Sequence, residues 1–137
     1  MGSGGGTPES VMRAIDTEVL VRLLARDHPR QAANADIFIG KGAWVSVLVL
    51  AEAARALADV YHLSSKDLAR AIEMLLNHRD LVVQDSEMVA CALKLFRAEP
   101  ALSFSGCLTL ESARKAGHLP LGTFDRTLAQ LEGAQKL

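Results

Sequence analysis

The sequence is 137 residues long, enough for one compact domain; half of it is hydrophobic and only 4% is aromatic, so its core must be aliphatic. A net charge of −1 excludes recruitment of nucleic acid by an overall positive field and leaves only a local basic patch for that task. The longest apolar run ends at Glu52 and is too short to cross a bilayer, so no membrane role is expected. Cys91 and Cys107 lack metal-ligand spacing and read as reduced, half-buried thiols of a cytoplasmic protein.

Residues 1–11, M-G-S-G-G-G-T-P-E-S-V, have neither a charged start nor an apolar stretch of a secretory signal. They read as a flexible leader, of the composition of an engineered linker, ahead of a single domain over 12–137. Met12 to Ile15 reads as a strand ending at Asp16. Thr17 is expected to cap a helix over Glu18–Arg26, with Val19, Leu20, Leu23 and Leu24 on one face. Pro29 opens a second helix to about Lys41, stopped by Gly42. A strand at Trp44–Ser46 and an alanine-rich helix from Leu48 to Tyr61 follow. Ser64 and Ser65 cap a helix to about Asn77, whose Leu68, Ile72, Leu75 and Leu76 suggest more apolar surface than a small core needs. Leu81–Val83 is a third strand, and Asp85 and Ser86 cap a helix over Glu87–Arg97. A helix from about Ser105 to Ala116 stops at Gly117. Leu119–Gly122 is a fourth strand, Asp125–Leu131 a short helix, and Ala134–Leu137 an edge strand.

Short apolar strands alternating with helices predict an α/β fold with a mostly parallel sheet of four to five strands, covered on both faces. Such sheets bind ligands beyond the carboxyl ends of the strands, where strand order reverses. That places chemistry after strands 1 and 4, where Asp16 and Asp125 stand. Glu52, inside V-L-V-L-A-E-A-A-R-A-L, is expected to be largely buried by its apolar neighbours, which is costly for an unpaired carboxylate. Three acids converging on one cleft would repel one another, and a divalent cation such as Mg²⁺ or Mn²⁺ resolves that repulsion. Each acid also has a structural reading: the aspartates as helix caps, and Glu52 as a partner of Arg22 or Arg55.

Three stretches carry a resemblance: R-A-I-D-T-E-V-L-V-R-L-L, W-V-S-V-L-V-L-A-E, and F-S-G-C-L-T-L-E-S-A-R-K-A-G-H-L-P-L-G-T-F-D-R-T-L. From Met12 to Leu137 the chain resembles the PIN domain, and within it the VapC toxins of bacterial VapBC toxin–antitoxin pairs. The resemblance implies a three-layer α/β/α sandwich and a Mg²⁺- or Mn²⁺-dependent endoribonuclease acting on RNA as a homodimer. It implies inhibition by a cognate VapB-like antitoxin that lays a helix and tail over the site. It assigns metal binding and catalysis to Asp16, Glu52 and Asp125, with a fourth acid expected at position 106.

Position 106 is glycine, placed at the predicted start of a helix. Glu111 lies about 140° further around that helix and is a poor substitute. Glu18, two residues after Asp16 where the family has a small polar residue, is the one accessory candidate with reach. Metal affinity and turnover are therefore expected to be reduced or lost, and the alternative is a catalytically silent PIN-fold protein that binds antitoxin or RNA without cutting. Thr17, Thr123, Arg114 and Arg126 are the candidate substrate contacts, with Arg22, Arg55 and Lys115 as further cations that follow acidic or helix-start segments. The four histidines, His28, His62, His78 and His118, show no ligand spacing. A phospho-acceptor receiver domain is a third reading, but no adjacent acidic pair follows strand 1.

Overall fold

A computed structural model describes residues 12–137; the leader reading of residues 1–11 lies outside the described residues. In chain order the elements are β1 (Arg13–Ala14), α1 (Thr17–Ala25), α2 (Pro29–Ile39), β2 (Ala43–Val45), α3 (Val47–Asp59), α4 (Ser65–Leu76), β3 (Leu81–Val83), α5 (Ser86–Ala98), α6 (Phe104–Ala116), β4 (Leu121–Thr123), a 3₁₀ turn (Leu128–Gln130) and β5 (Ala134–Lys136). The α/β class and the five short strands are those expected. All pairings are parallel, and the hydrogen bonds divide the strands into a ladder in the order β1-β2-β3 and a separate pair, β4-β5. The three-strand ladder runs in chain order, so the expected reversal beside strand 1 is not part of it.

Local chemistry sets the helix ends. Ser46, Ser64 and Ser103 each accept the backbone N–H three residues on, capping α3, α4 and α6. Gly117 ends α6 at φ +82°, a left-handed conformation that a side chain would strain. Pro29 sits at the first position of α2, where its missing N–H costs nothing. Asp85 precedes α5 but does not cap it; its carboxylate instead pairs with the Lys115 ammonium of α6.

The core follows the helical period. On α3 the buried residues are Leu50, Ala53, Ala54 and Leu57, spaced i, i+3, i+4, i+7. Leu68, Ile72 and Leu75 of α4 are buried within the chain itself and Leu76 is half-buried, so they are not the spare apolar face expected of a dimer. In the sheet, Ala43 and Val45 of β2 and Leu81 and Val83 of β3 point inward with period two. Val82 between them is half open to solvent, so the outer strand is not covered on both faces as expected. Each fully buried Leu or Ile contributes about 1.5–3 kcal/mol, and Leu20, Leu50, Leu57, Ile72, Leu75 and Leu110 are of this kind. The helices pack pairwise, α2 on α1, α1 on α3, α3 on α6, α6 on α5 and α5 on α4. This order puts α3 between the starts of α1 and α6, and so sets the site.

Candidate functional site

Asp16, not Thr17, caps α1: Oδ1 of Asp16 accepts the N–H of Val19 at 3.0 Å. The Thr17 hydroxyl is thereby free for a partner 35 residues away, and it donates to Oε1 of Glu52 at 2.7 Å. A charge-assisted hydrogen bond of this length orients the carboxylate while leaving its second oxygen unclaimed. Glu52 itself is exposed, contrary to the expectation of burial. The reason is rotational: two residues turn a helix by 200°, so Glu52 lies opposite the buried Leu50, beside the exposed Leu48 and Arg55. Asp16 and Glu18 line a cleft of about 520 Å³ between α1 and α2. Thr17, Glu52 and Arg55 line a different depression along α3.

Asp125 repeats the capping pattern at the other end of the chain. Its Oδ1 accepts the Leu128 N–H at 2.9 Å and its own N–H donates to the Thr123 hydroxyl at 3.0 Å. The helix expected over Asp125–Leu131 is only the 3₁₀ turn Leu128–Gln130, because so short a segment packs few side chains. Leu128 of that turn lies against Gly106.

Gly106 is the third residue of α6, not its start, since the helix begins at Phe104 under the Ser103 cap. Its N–H donates to the Ser103 hydroxyl at 3.0 Å. A Cβ at this position would stand 3.0 Å from Ser103 Oγ and 3.6 Å from Leu128 Cδ2. The space is snug but bounded by a rotatable hydroxyl and a flexible leucine tip. Five residues on, Glu111 is nearly buried on another face and paired with Arg114 at 3.3 Å, so it is no replacement.

Each of the three acids is thus oriented by a hydrogen bond, local for Asp16 and Asp125 and from the distant Thr17 for Glu52. The close convergence expected of them is not reached: among the described residues no three His, Cys, Asp or Glu side chains are grouped so as to hold a metal ion. Without a carboxylate at position 106, the donor set present does not fit a divalent cation. Glu18 is exposed and stands 3.5 Å from Arg22, and it adds no third ligand.

Most of the predicted cations have other work. Arg22 is a half-buried hub that donates to Gln31 Oε1 and to the Tyr61 hydroxyl, with Asp27 at 3.6 Å, tying α1 to α2 and to the end of α3. Arg114 reaches Glu111 and, at 2.8 Å, the carbonyl of Glu132. Lys115 is held by Asp85. These three, Arg114 among them, already have partners, with which a phosphate would have to compete. Arg55 and Arg126 are exposed and make no ion pair among the described residues, so they keep that role open. Neither His28 nor His78 is a ligand candidate: His28 caps α2 through Nδ1 and His78 accepts the Asp80 N–H.

The two thiols differ instead of sharing half-burial. Cys91 is exposed; Cys107 is fully buried on α6, where burial first and the neighbouring Glu111 second push its thiol up to about 11. Sequence reasoning missed one surface residue of the site region. Phe124, immediately before Asp125, is 76% exposed, whereas Phe96 and Phe104 are buried and packed edge to face. Its signal was an aromatic residue in a polar turn, T-F-D-R.

A protein-family model described as PIN domain matches residues 14–134, nearly the whole of the described chain. No curated protein and no solved structure matches the chain significantly.

Proposed function

The chain belongs to the PIN domain family, whose members are in general metal-dependent nucleases, and on that premise we propose that it derives from an endoribonuclease of the VapC toxin type whose activity is reduced or lost. The observation that carries this reading is Gly106: it lies in the first turn of α6 under the Ser103 cap, and a Cβ there would stand 3.6 Å from Leu128, so the position where the resemblance expects an acid lies beside the turn that follows Asp125. In the proposed site Asp16, Glu52 and Asp125 are the catalytic and metal-binding acids that remain of a set which, completed by an acid at position 106, would hold Mg²⁺ or Mn²⁺. Thr17 fixes the Glu52 carboxylate, and Thr123 fixes the turn that carries Asp125. Arg126 and Arg55 supply phosphate contacts. A cognate VapB-like antitoxin, a homodimer and a cytoplasmic place of action complete the proposal.

The second reading is a silent PIN-fold protein that binds antitoxin or RNA without cutting, and the short donor set favours it. Asp16→Asn separates the two, because asparagine caps a helix as well as aspartate does. RNA cleavage in Mn²⁺ by the native chain that disappears in Asp16→Asn supports a residual nuclease at this site. Cleavage equal in both proteins, or absent from both, rejects residual activity and leaves the silent reading.

A further inference from the structure

We propose that Phe124 is a stacking platform for an unpaired RNA base, flanked by Arg126 and Lys136 as phosphate contacts. This deepens the ribonucleic-acid reading above and rests on it.

Phe124 lies between Thr123 and Asp125, and the turn that presents it is pinned on both sides. The Asp125 N–H donates to the Thr123 hydroxyl, the Leu128 N–H to the Asp125 carboxylate, and the Ala129 N–H to the Asp125 carbonyl. From the other side, the Leu137 N–H donates to the Thr123 carbonyl at 3.0 Å. The turn is thus fastened at several points, and the Phe124 that it carries is 76% exposed. The fixed backbone spares binding the cost of ordering the turn, and only the ring's own rotamer remains to be ordered.

The neighbourhood favours a nucleic acid over an apolar protein partner. Lys136 is the strand partner of Thr123, one residue before the ring, and Arg126 follows two residues after it. Both are exposed, and neither forms an ion pair among the described residues. An exposed aromatic residue with two cations near it on the chain and the paired strand, both unpaired among the described residues, offers what single-stranded nucleic acid requires: the base stacks and the phosphates are neutralised. Stacking needs no base-edge hydrogen bonds, so the platform tolerates any base. The adjacency to Asp125 puts the stacked nucleotide next to one of the proposed acids.

The test uses fluorescence anisotropy of a labelled single-stranded RNA at fixed salt in EDTA, so that binding is read without cleavage. Phe124→Ala is expected to bind about 5- to 150-fold more weakly. Phe124→Leu should be as weak as alanine, since it keeps the apolar bulk and loses the π face. Phe124→Trp should keep the affinity, and its indole fluorescence should be quenched on RNA addition. Full rescue by leucine would overturn stacking. So would a dimer, seen by light scattering, that dissociates in Phe124→Ala with RNA affinity unchanged; that result would assign the ring to a second copy of the chain. Equal RNA affinity of native and Phe124→Ala proteins overturns the platform alone, whereas no RNA binding by the native protein overturns the platform and the ribonuclease reading together.

Discussion

Replacing Gly106 by aspartate should leave the metal-free fold nearly unchanged and create a response to Mn²⁺ that the native chain lacks. Three terms decide the metal-free part. Asparagine's acid homologue is a slightly better helix former than glycine, by a few tenths of a kcal/mol. A carboxylate in the first turn gains about 0.3–1 kcal/mol from the helix dipole. Against this, the new Cβ meets Ser103 Oγ at 3.0 Å, and moving that hydroxyl weakens a cap worth about 1 kcal/mol. The sum lies within about 1 kcal/mol of zero. For a 137-residue chain, about 3–4 °C in Tm corresponds to 1 kcal/mol, so the metal-free Tm should move by no more than about 4 °C. With Mn²⁺ at 100 times its Kd, binding adds about 2.7 kcal/mol, or about 10 °C. Differential scanning calorimetry with and without Mn²⁺ reads both quantities. A variant that melts normally and gains nothing from Mn²⁺ would refute the assignment of position 106 as the missing ligand.

Two further predictions test the packing and the polar network. Arg22→Met removes the hub that joins Gln31, Tyr61 and Asp27, and should lower stability by about 1.5–3 kcal/mol, about 5–10 °C in a thermal melt; Arg126→Met, on an exposed cation with no ion pair among the described residues, should shift Tm by less than about 2 °C, and equal losses in the two variants would contradict the network. The raised Cys107 thiol makes a signed prediction in pH. Below its ordinary value of 9.0 the thiol is neutral in both folded and unfolded chains and contributes no pH dependence. Between 9.0 and about 11 the unfolded chain releases a proton that the folded chain keeps, so stability should fall with rising pH, by an amount on the order of 2 kcal/mol. Urea titrations at pH 8 and 10.5 on the native chain and on Cys107→Ala measure it, and an alanine variant with the same alkaline loss would show that other groups cause it.

The parts of the fold that were legible in the sequence are those fixed within a few residues. Ser64 capping α4, Pro29 opening α2 and Gly117 closing α6 each act through backbone groups no more than four positions away. The parts that were not legible depend on distant partners. Asp16 and Thr17 are both competent caps, and the choice between them is made with a carboxylate on α3 that accepts the threonine hydroxyl. The run Val47–Ala54 is apolar enough to look buried all round, yet the neighbours of α3 cover only the Leu50–Leu57 face and leave Leu48 and Glu52 in solvent. Arg22 and Arg114 looked like free cations because Gln31, Tyr61 and Glu132 lie nine or more residues away. Asp16 and Asp125 do stand just after β1 and β4, where the strand pattern put them, while Glu52 lies inside α3. Their separation into two depressions was not, because it depends on how α1 and α2 pack.

The central claim is that one missing side chain separates this PIN domain from an active ribonuclease. Its most direct measurement is the rate of RNA cleavage in Mn²⁺ by the native chain and by Gly106→Asp, under the same conditions and with Asp16→Asn in the Gly106→Asp background as the control. The account predicts that Gly106→Asp cleaves at least 10-fold faster than the native chain and that the control abolishes the gain. Equal rates for the native chain and Gly106→Asp would contradict it.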